Sequence, residues 1–391
     1  MAKKKILLVH NFYQISGGEH TVFENEKNLL LENGHEVYTY TRSNDELKHS
    51  KRKLLLMPFT TSWSFKTYFG VRRLIREKQI DVVHCHNTFP LISPSVYYAA
   101  RSMKVPVVQT IHNFRFLCPN GLFYCDGKVC EKCREEKSFL PALKNGCYRG
   151  SKVQTLVAVA MLQIHRWLGT YRKINYIFLT EFNKGKFADL IDIQGENIFV
   201  KPNFVSRPAI TMSSGEIGKK FIFAGRLDRN KGIDFLLNVW PELPEDYELH
   251  VYGDGEYRVA CEAAAEKYKN IHYFGFRPQS VIFADLAEST ALLFTSDLYE
   301  GFPMSMAESF AIGRPVVATD VGNHSDVVTA SCGGVTFAHR DTADFKKALE
   351  KILVHNAVHS ERAMDYYLQT LTKQKNYEKL SEIYDKAKHI R

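Results

Sequence analysis

Short apolar runs and longer stretches of helical periodicity alternate along most of this chain. KILLVH (5–10) has the length of a buried strand. The following residues 17–35 carry apolar positions at Val22, Leu29 and Leu30 and a stop at Gly34, the pattern of a helix closed by a C-terminal glycine. EVYTYT (36–41) predicts a strand, 67–80 a helix, DVVHCH (81–86) a strand ending in polar residues, 93–104 a helix and 105–112 a further strand. The alternation breaks at 113–150, where cysteines gather, and resumes with a long, mostly apolar helix over 151–171 and a strand over 176–180. A Pro-, Ser- and Gly-rich linker over 205–219 precedes a second series. Its strands are expected at 220–225, 247–253, 271–275, 291–296 and 315–319, with helices at 233–243, 258–268 and after residue 300, and a helical remainder over 342–389.

Alternation of this kind implies α/β parallel sheets covered on both faces, and 391 residues suit two of them. The expectation is two Rossmann-like, doubly wound domains facing a cleft: 1–205, with a cysteine insert at 113–150, and 206–370. A C-terminal helical segment, 371–391, is expected to pack back towards the first domain. Ligands of such sheets sit at the carboxyl ends of the strands.

Charge divides the chain in the same place. Of the net +9, residues 1–205 carry 30 Lys+Arg against 17 Asp+Glu, and residues 206–391 carry 22 against 26. A basic half suits phosphates, anionic lipid or nucleic acid; the plain alternative is a solvated surface. No apolar run reaches the ~18 residues of a membrane span. The apolar part of the start, MAKKKILLVH, falls short of a signal peptide's ~7–15 residues. The expected location is therefore cytoplasmic, with peripheral contact at the inner face of an anionic membrane. The 151–171 helix, with Lys152 and Arg166 at its ends and Arg172 and Lys173 just beyond, reads first as a core helix and second as a segment dipping into that surface.

The chemistry concentrates in SDLYEGFPMSMAESFAIGRPVVATD (296–320). Glu300 lies in the exit loop of an apolar strand and Glu308 in the helix that follows. Pro303 suits a first helical position, and Gly313 with Pro315 ends the helix. Two hydroxyl acceptors beside the positive end of a helix suit a sugar nucleotide, which has hydroxyls at both ends and phosphates between. This Glu-x7-Glu block resembles the signature of retaining glycosyltransferases of GT-B architecture, family 4, and the resemblance extends over nearly the whole chain.

The resemblance implies that Glu300 contacts the donor sugar and Glu308 the ribose, with loop amides at Phe302, Met304 and Ser305 near sugar and phosphate. It assigns Arg226 and Lys231, in FAGRLDRNKGID, to the pyrophosphate. YFGF (273–276) is assigned to the nucleobase through Phe276, and His112, in QTIHNF, to a place beside the donor sugar. ISGGEH (15–20) matches the glycine-rich first loop, with Gly17 and Gly18 near the phosphates and Glu19 towards the acceptor. Two cations after a strand also make sense alone, because a departing nucleoside diphosphate must have its charge held. The activity implied is metal-independent transfer, with retention, from a UDP- or GDP-sugar to a lipid-linked glycan of a surface polysaccharide.

Three other functions fit less well. A GT-B nucleotide-sugar epimerase shares the architecture without the Glu-x7-Glu block. A zinc-knuckle nucleic-acid-binding protein would need aromatics interleaved with the basic clusters, which are lacking, so nucleic acid is not an expected partner. A dehydrogenase is disfavoured because YGDGEY continues into Arg258 where the dinucleotide fingerprint needs its third glycine.

The insert contains Cys130-x2-Cys133 between Cys118 and Cys147, a set with the ligand chemistry of zinc. Disulfides are disfavoured in a reducing cytosol, and free thiols are the plain alternative. These four, with the YRGS that follows, resemble a bacterial subset of family 4, which implies a structural zinc and leaves Cys125 outside the set. No cofactor is expected for catalysis.

Overall fold

The computed structural model describes residues 3–14, 18–47, 51–208 and 218–390, with the side chains of 51–55 left aside. Most of the expected linker thus lies outside the described residues. The chain divides into two compact units: Met1–Cys125, Cys130–Pro202 and Tyr377–Arg391 form one, and Asp126–Val129 with Asn203–Asn376 form the other.

In the first unit the strands are β1 (Lys5–Phe12), β2 (Glu36–Ser43), β3 (Val82–Asn87) and β4 (Val107–Ile111), then, after the two-residue strands β5 (Tyr124–Cys125) and β6 (Lys128–Val129) of the cysteine segment, β7 (Asn175–Phe178) and β8 (Ile198–Val200). Six of them make a parallel sheet in the order β2-β1-β3-β4-β7-β8. β3, β4 and β7 are buried along their whole length, as strands of a sheet covered on both faces are, and carry buried polar side chains such as His84, Gln109 and Asn175 among the apolar ones. Leu380, Ile383 and Tyr384, from the last helix (Lys373–Lys386), pack into the core with Ile6, Leu8, Phe23 and Val108.

The long helix of this unit, Lys152–Trp167, is a core helix along one face. Ala158, Met161, Leu162 and His165 are buried, while Val153, Leu156, Ile164 and Trp167 are exposed, Trp167 by 78%. No helix among the described residues is long and apolar enough to cross a membrane.

The second unit is wound in the same manner. Its strands β9 (Lys220–Ala224), β10 (Glu248–Tyr252), β11 (Ile271–Gly275), β12 (Ala291–Phe294), β13 (Val316–Thr319) and β14 (Gly334–Phe337) form a parallel sheet ordered β11-β10-β9-β12-β13-β14. Trp240, Phe235, Phe337 and Phe345 fill one side of it, and the one polar atom of the Trp240 ring donates to the Tyr247 carbonyl at 2.9 Å. Both chains of strands reverse direction across the sheet, between β1 and β3 in one unit and β9 and β12 in the other. These are the topological switch points at which open sheets of this class leave a crevice at the strand carboxyl ends.

Candidate active site

In the second unit the loops leaving β9 and β12 meet at the switch point. Gly232 (φ +73°) packs so closely on β12's exit that an added Cβ would lie 2.0 Å from the Thr295 carbonyl oxygen, so only glycine fits. Thr295 Oγ1 donates to the Lys231 carbonyl at 2.9 Å, and the Asp297 amide donates to the Asn230 carbonyl at 2.9 Å. Thus fastened, the first loop delivers the Lys231 ammonium to Glu300 Oε1 at 2.5 Å, and Ser296 Oγ donates to the same oxygen at 2.9 Å. Burial pushes the Glu300 carboxyl up, but Lys231, His324 and these hydrogen bonds outweigh it and hold the group below the usual carboxylate value.

His324, which the sequence reading missed, stands in the first turn of the helix Asn323–Ser331. Its ring meets Phe294 edge-on, its Nδ1 lies 3.1 Å from Thr319 Oγ1, and its buried Nε2 has no partner. Burial, with Lys231 nearby, lowers its pKa to about 4 although Glu300 pulls the other way. The imidazole is therefore neutral near pH 7 and can direct an uncommitted nitrogen at a ligand. No spacing motif announced it; the signal was VGNH just after an apolar strand.

Glu308 lies in the helix Met304–Ala311 and accepts from Gln279 Nε2 at 2.6 Å. Burial raises its carboxyl to about 7, the Gln279 hydrogen bond opposing. Pro303 precedes this helix with ψ 86° rather than occupying its first turn, a correction to the expected position; the extended ψ lets the chain swing out of the β12 exit loop before the helix starts. Phe302 is buried, and Met304 Sδ lies 3.6 Å from Asn203 Nδ2. Met304 and Ser305 open that helix, half-buried. The Arg226 side chain is 63% exposed, and its guanidinium pairs with Asp228 at 2.9 Å. Phe276, 77% exposed, follows Gly275 (φ +70°) at the end of β11. YGDGEY serves the backbone: a Cβ at Gly253 would lie 1.8 Å from the Gly225 carbonyl oxygen, so the β9 and β10 exits touch directly.

The first unit holds a second cluster around its own switch point. His112 and Glu19 line a pocket with His86, Asn87, Thr88, Arg115 and others. Arg115 stacks over Phe89 at 4.5 Å and donates to the Pro119 carbonyl at 2.7 Å. Burial raises the Glu19 carboxyl to about 7, with Arg115 opposing. Gly18 begins the helix Gly18–Glu32, with open space around it; Gly17 lies outside the described residues.

Behind His112 runs a buried polar network that sequence reasoning did not find. Lys201 Nζ lies 2.5 Å from Glu26 Oε1, Glu26 Oε2 lies 3.3 Å from His86 Nε2, and His86 Nδ1 lies 2.9 Å from His112 Nε2. His84 joins through Thr110 Oγ1 at 2.8 Å and the Tyr384 hydroxyl at 2.7 Å. A proton on His86 Nε2 would leave Nδ1 to accept from His112 Nε2, so the tautomers of the two rings are coupled across that contact. Burial first, and His86 second, keep His84 and His112 well below the usual imidazole range.

No disulfide joins the cysteines of the insert among the described residues. Burial is the main cause raising Cys133 to about 11, with Cys118 and Cys130 adding to it. Burial likewise raises Cys147 to about 12, followed by Cys125, its hydrogen-bond partner, and then Cys118 and Cys133. Among the described residues, the groups bringing three metal-ligating atoms within 4.8 Å of one another are Glu26/His84/His86 and Glu248/His250/His272, and the cysteines form no such group.

Comparison with known proteins agrees with this division. Residues 16–206 match the family model described as Glycosyltransferase Family 4, and residues 218–355 that described as Glycosyl transferases group 1. The chain is 24% identical over 410 residues to a phosphatidylinositol N-acetylglucosaminyltransferase subunit of Arabidopsis thaliana, over 98% of this chain and 82% of that protein. It is 27% identical over 179 residues to the lipopolysaccharide 1,6-galactosyltransferase of Escherichia coli K12, over 44% of this chain and 48% of that one. Among solved structures, WaaG, a glycosyltransferase involved in lipopolysaccharide biosynthesis, superposes with a TM-score of 0.61 at 18% identity, over 98% of this chain and 99% of that one. Anabaena Alr3699/HepE in complex with UDP gives 0.66 at 16% identity, over 97% and 99%. At such identities the structures share the fold.

Proposed function

Because this chain belongs to the GT-B glycosyltransferases of family 4 type, we propose that it transfers a sugar, with retention, from a UDP-sugar (GDP second) to a lipid-linked glycan in surface polysaccharide synthesis. The observation that carries this reading is the Lys231–Glu300–Ser296 cluster at the β9/β12 switch point. On this reading the Lys231 ammonium, held in waiting by a carboxylate, turns to the diphosphate when the donor arrives, and Glu300 is released to the sugar hydroxyls. Arg226, exposed and free to leave Asp228 by a change of rotamer, adds the second cation. Phe276 lies against the base, Glu308 takes the ribose, and the amides at Phe302, Met304 and Ser305 approach sugar and phosphate. By the resemblance, Gly17, Gly18 and His112 are assigned to the donor and Glu19 to the acceptor.

The acceptor hydroxyl attacks the anomeric carbon on the face from which the diphosphate departs. Its proton passes to a departing phosphate oxygen as the sugar–phosphate bond breaks, so protein groups, rather than a metal, carry the developing charge. Zinc belongs to the insert on this reading, with Cys118, Cys130, Cys133 and Cys147 as ligands, which would have to draw closer together to hold it, and Cys125, in contact with Cys147, competes for a place in the set.

Thermal melting tests the donor assignment. UDP at about 100 times its Kd should stabilise the protein by ~2.7 kcal/mol, and Glu308→Ala should lose most of that gain. Ribose hydroxyls donate to an ionised carboxylate, and Glu308 is held at about 7. Nucleotide affinity should therefore rise as pH rises through about 7, and Glu308→Gln should flatten the profile. Equal stabilisation of wild type and Glu308→Ala by every nucleotide would remove the ribose role.

The exposed Val153, Leu156 and Trp167 lie on the helix Lys152–Trp167 of the basic first half, an arrangement that suits peripheral attachment to an anionic membrane. Sedimentation with phosphatidylglycerol vesicles should carry down wild type and several-fold less Trp167→Glu, with neither bound to neutral phosphatidylcholine. Equal sedimentation of the two proteins would count against this attachment.

A further inference from the structure

At the start and middle of β10, three side chains converge that the transferase reading does not use. Glu248 and His250 sit two apart on β10 and so share a face of the sheet, and His272 on β11 is the direct register partner of His250. The imidazole rings of His250 and His272 lie 5.0 Å apart at 75°. His250 Nε2 is 3.7 Å from Glu248 Oε2. One ligand atom from each of the three residues lies within 4.8 Å of the other two.

The other nitrogen of His250 is already committed. Nδ1 lies 2.5 Å from Asp285 Oδ2, and that carboxylate also accepts from Tyr252 at 2.8 Å and, through Oδ1, from Lys220 at 2.8 Å. With His250 Nδ1 engaged by the Asp285 carboxylate, Nε2 is the nitrogen left facing Glu248. A carboxylate behind a histidine, fixing its tautomer, is the support that metal-ligating imidazoles ordinarily have. A His250–Asp285 ion pair alone would leave the gathering of His272 and Glu248 without a role.

We propose that Glu248, His250 and His272 form a binding site for one divalent transition ion of the zinc class. Two imidazoles and one carboxylate, with a fourth position left to water, match that ion's ligand preference better than that of magnesium or calcium, which take oxygen. Bonds of about 2.1 Å set tetrahedral ligand atoms roughly 3.4 Å apart, so small side-chain rotations close the present spread. The ion ties β11, the edge strand of the sheet, to β10.

Metal-stripped full-length protein, titrated with Zn2+ by calorimetry, provides the test. Wild type should take up an ion that His272→Ala and the exposed-site variant Glu248→Ala lose, and that Cys133→Ser keeps. Asp285→Asn should bind it about 10–100-fold more weakly. Co2+ in this site should give d–d absorption that persists in Cys133→Ser, without the intense near-ultraviolet band of thiolate ligation. Unchanged stoichiometry and affinity in both His272→Ala and Glu248→Ala would overturn the proposal. So would a wild type whose every bound ion disappears in Cys133→Ser.

Discussion

Replacing Lys231 by alanine should lower turnover about 10²–10³-fold, roughly 2.7–4 kcal/mol of transition-state stabilisation, in a protein that still folds. The magnitude follows from where the ammonium sits. It is partly buried, with 22% of its side chain exposed against 19% for Glu300, so its charge acts in a medium less screening than water. The loop that carries it is fastened by backbone contacts that do not involve its side chain. Two roles are separable. If Lys231 serves only to neutralise Glu300, Lys231→Ala should lower folding stability and raise KM while kcat is kept. If it stabilises the leaving diphosphate, kcat falls more than KM rises. Near-wild-type turnover in Lys231→Ala would end the assignment.

How much of this is legible in the sequence depends on whether a residue's partner is near it along the chain. Glu300 and Glu308 are legible because strand, loop, helix and glycine stop all fall within 25 residues, and each local signal agrees with the next. The parallel strands are legible where burial on both faces leaves an uninterrupted apolar run, as in Ile6, Leu7, Leu8 and Val9 of β1. The pairing of Lys231 with Glu300 is not, since it joins residues 69 apart through a close approach that only Gly232 permits. Resemblance leaves Cys125 outside the zinc set, yet it is the thiol that meets Cys147. The helix Asn323–Ser331 and strand β14 escape the sequence reading because polar residues dominate the first and the second is only four residues long. His324 is lost with them. The Glu26 network joins residues 175 apart; in sequence, its only trace is HCH in β3, two histidines sharing one face.

That network sets the second large expectation: Glu26→Ala should destabilise the protein by about 3–5 kcal/mol. Glu26 and Lys201 are each 1% exposed, and removing the carboxylate leaves an ammonium in a region where His84 and His112 are kept from charging by burial. Breaking such a pair costs more than the pair is worth, because the remaining charge has already given up water. Removing both charges should therefore cost less than either single change: Glu26→Gln with Lys201→Met should recover much of the loss, giving a coupling of a few kcal/mol in a double-mutant cycle read by denaturant unfolding. The pH dependence has a definite sign. The folded-state pKa of Glu26 lies well below its ordinary 4.5, so its contribution is complete above that value and is lost as pH falls through the lower, folded one. Wild type should accordingly lose stability in acid more steeply than the double variant. Additive single-site losses, or parallel acid profiles, would mean that Lys201 finds its compensation elsewhere and that the carboxylate does not anchor the row of histidines leading to His112.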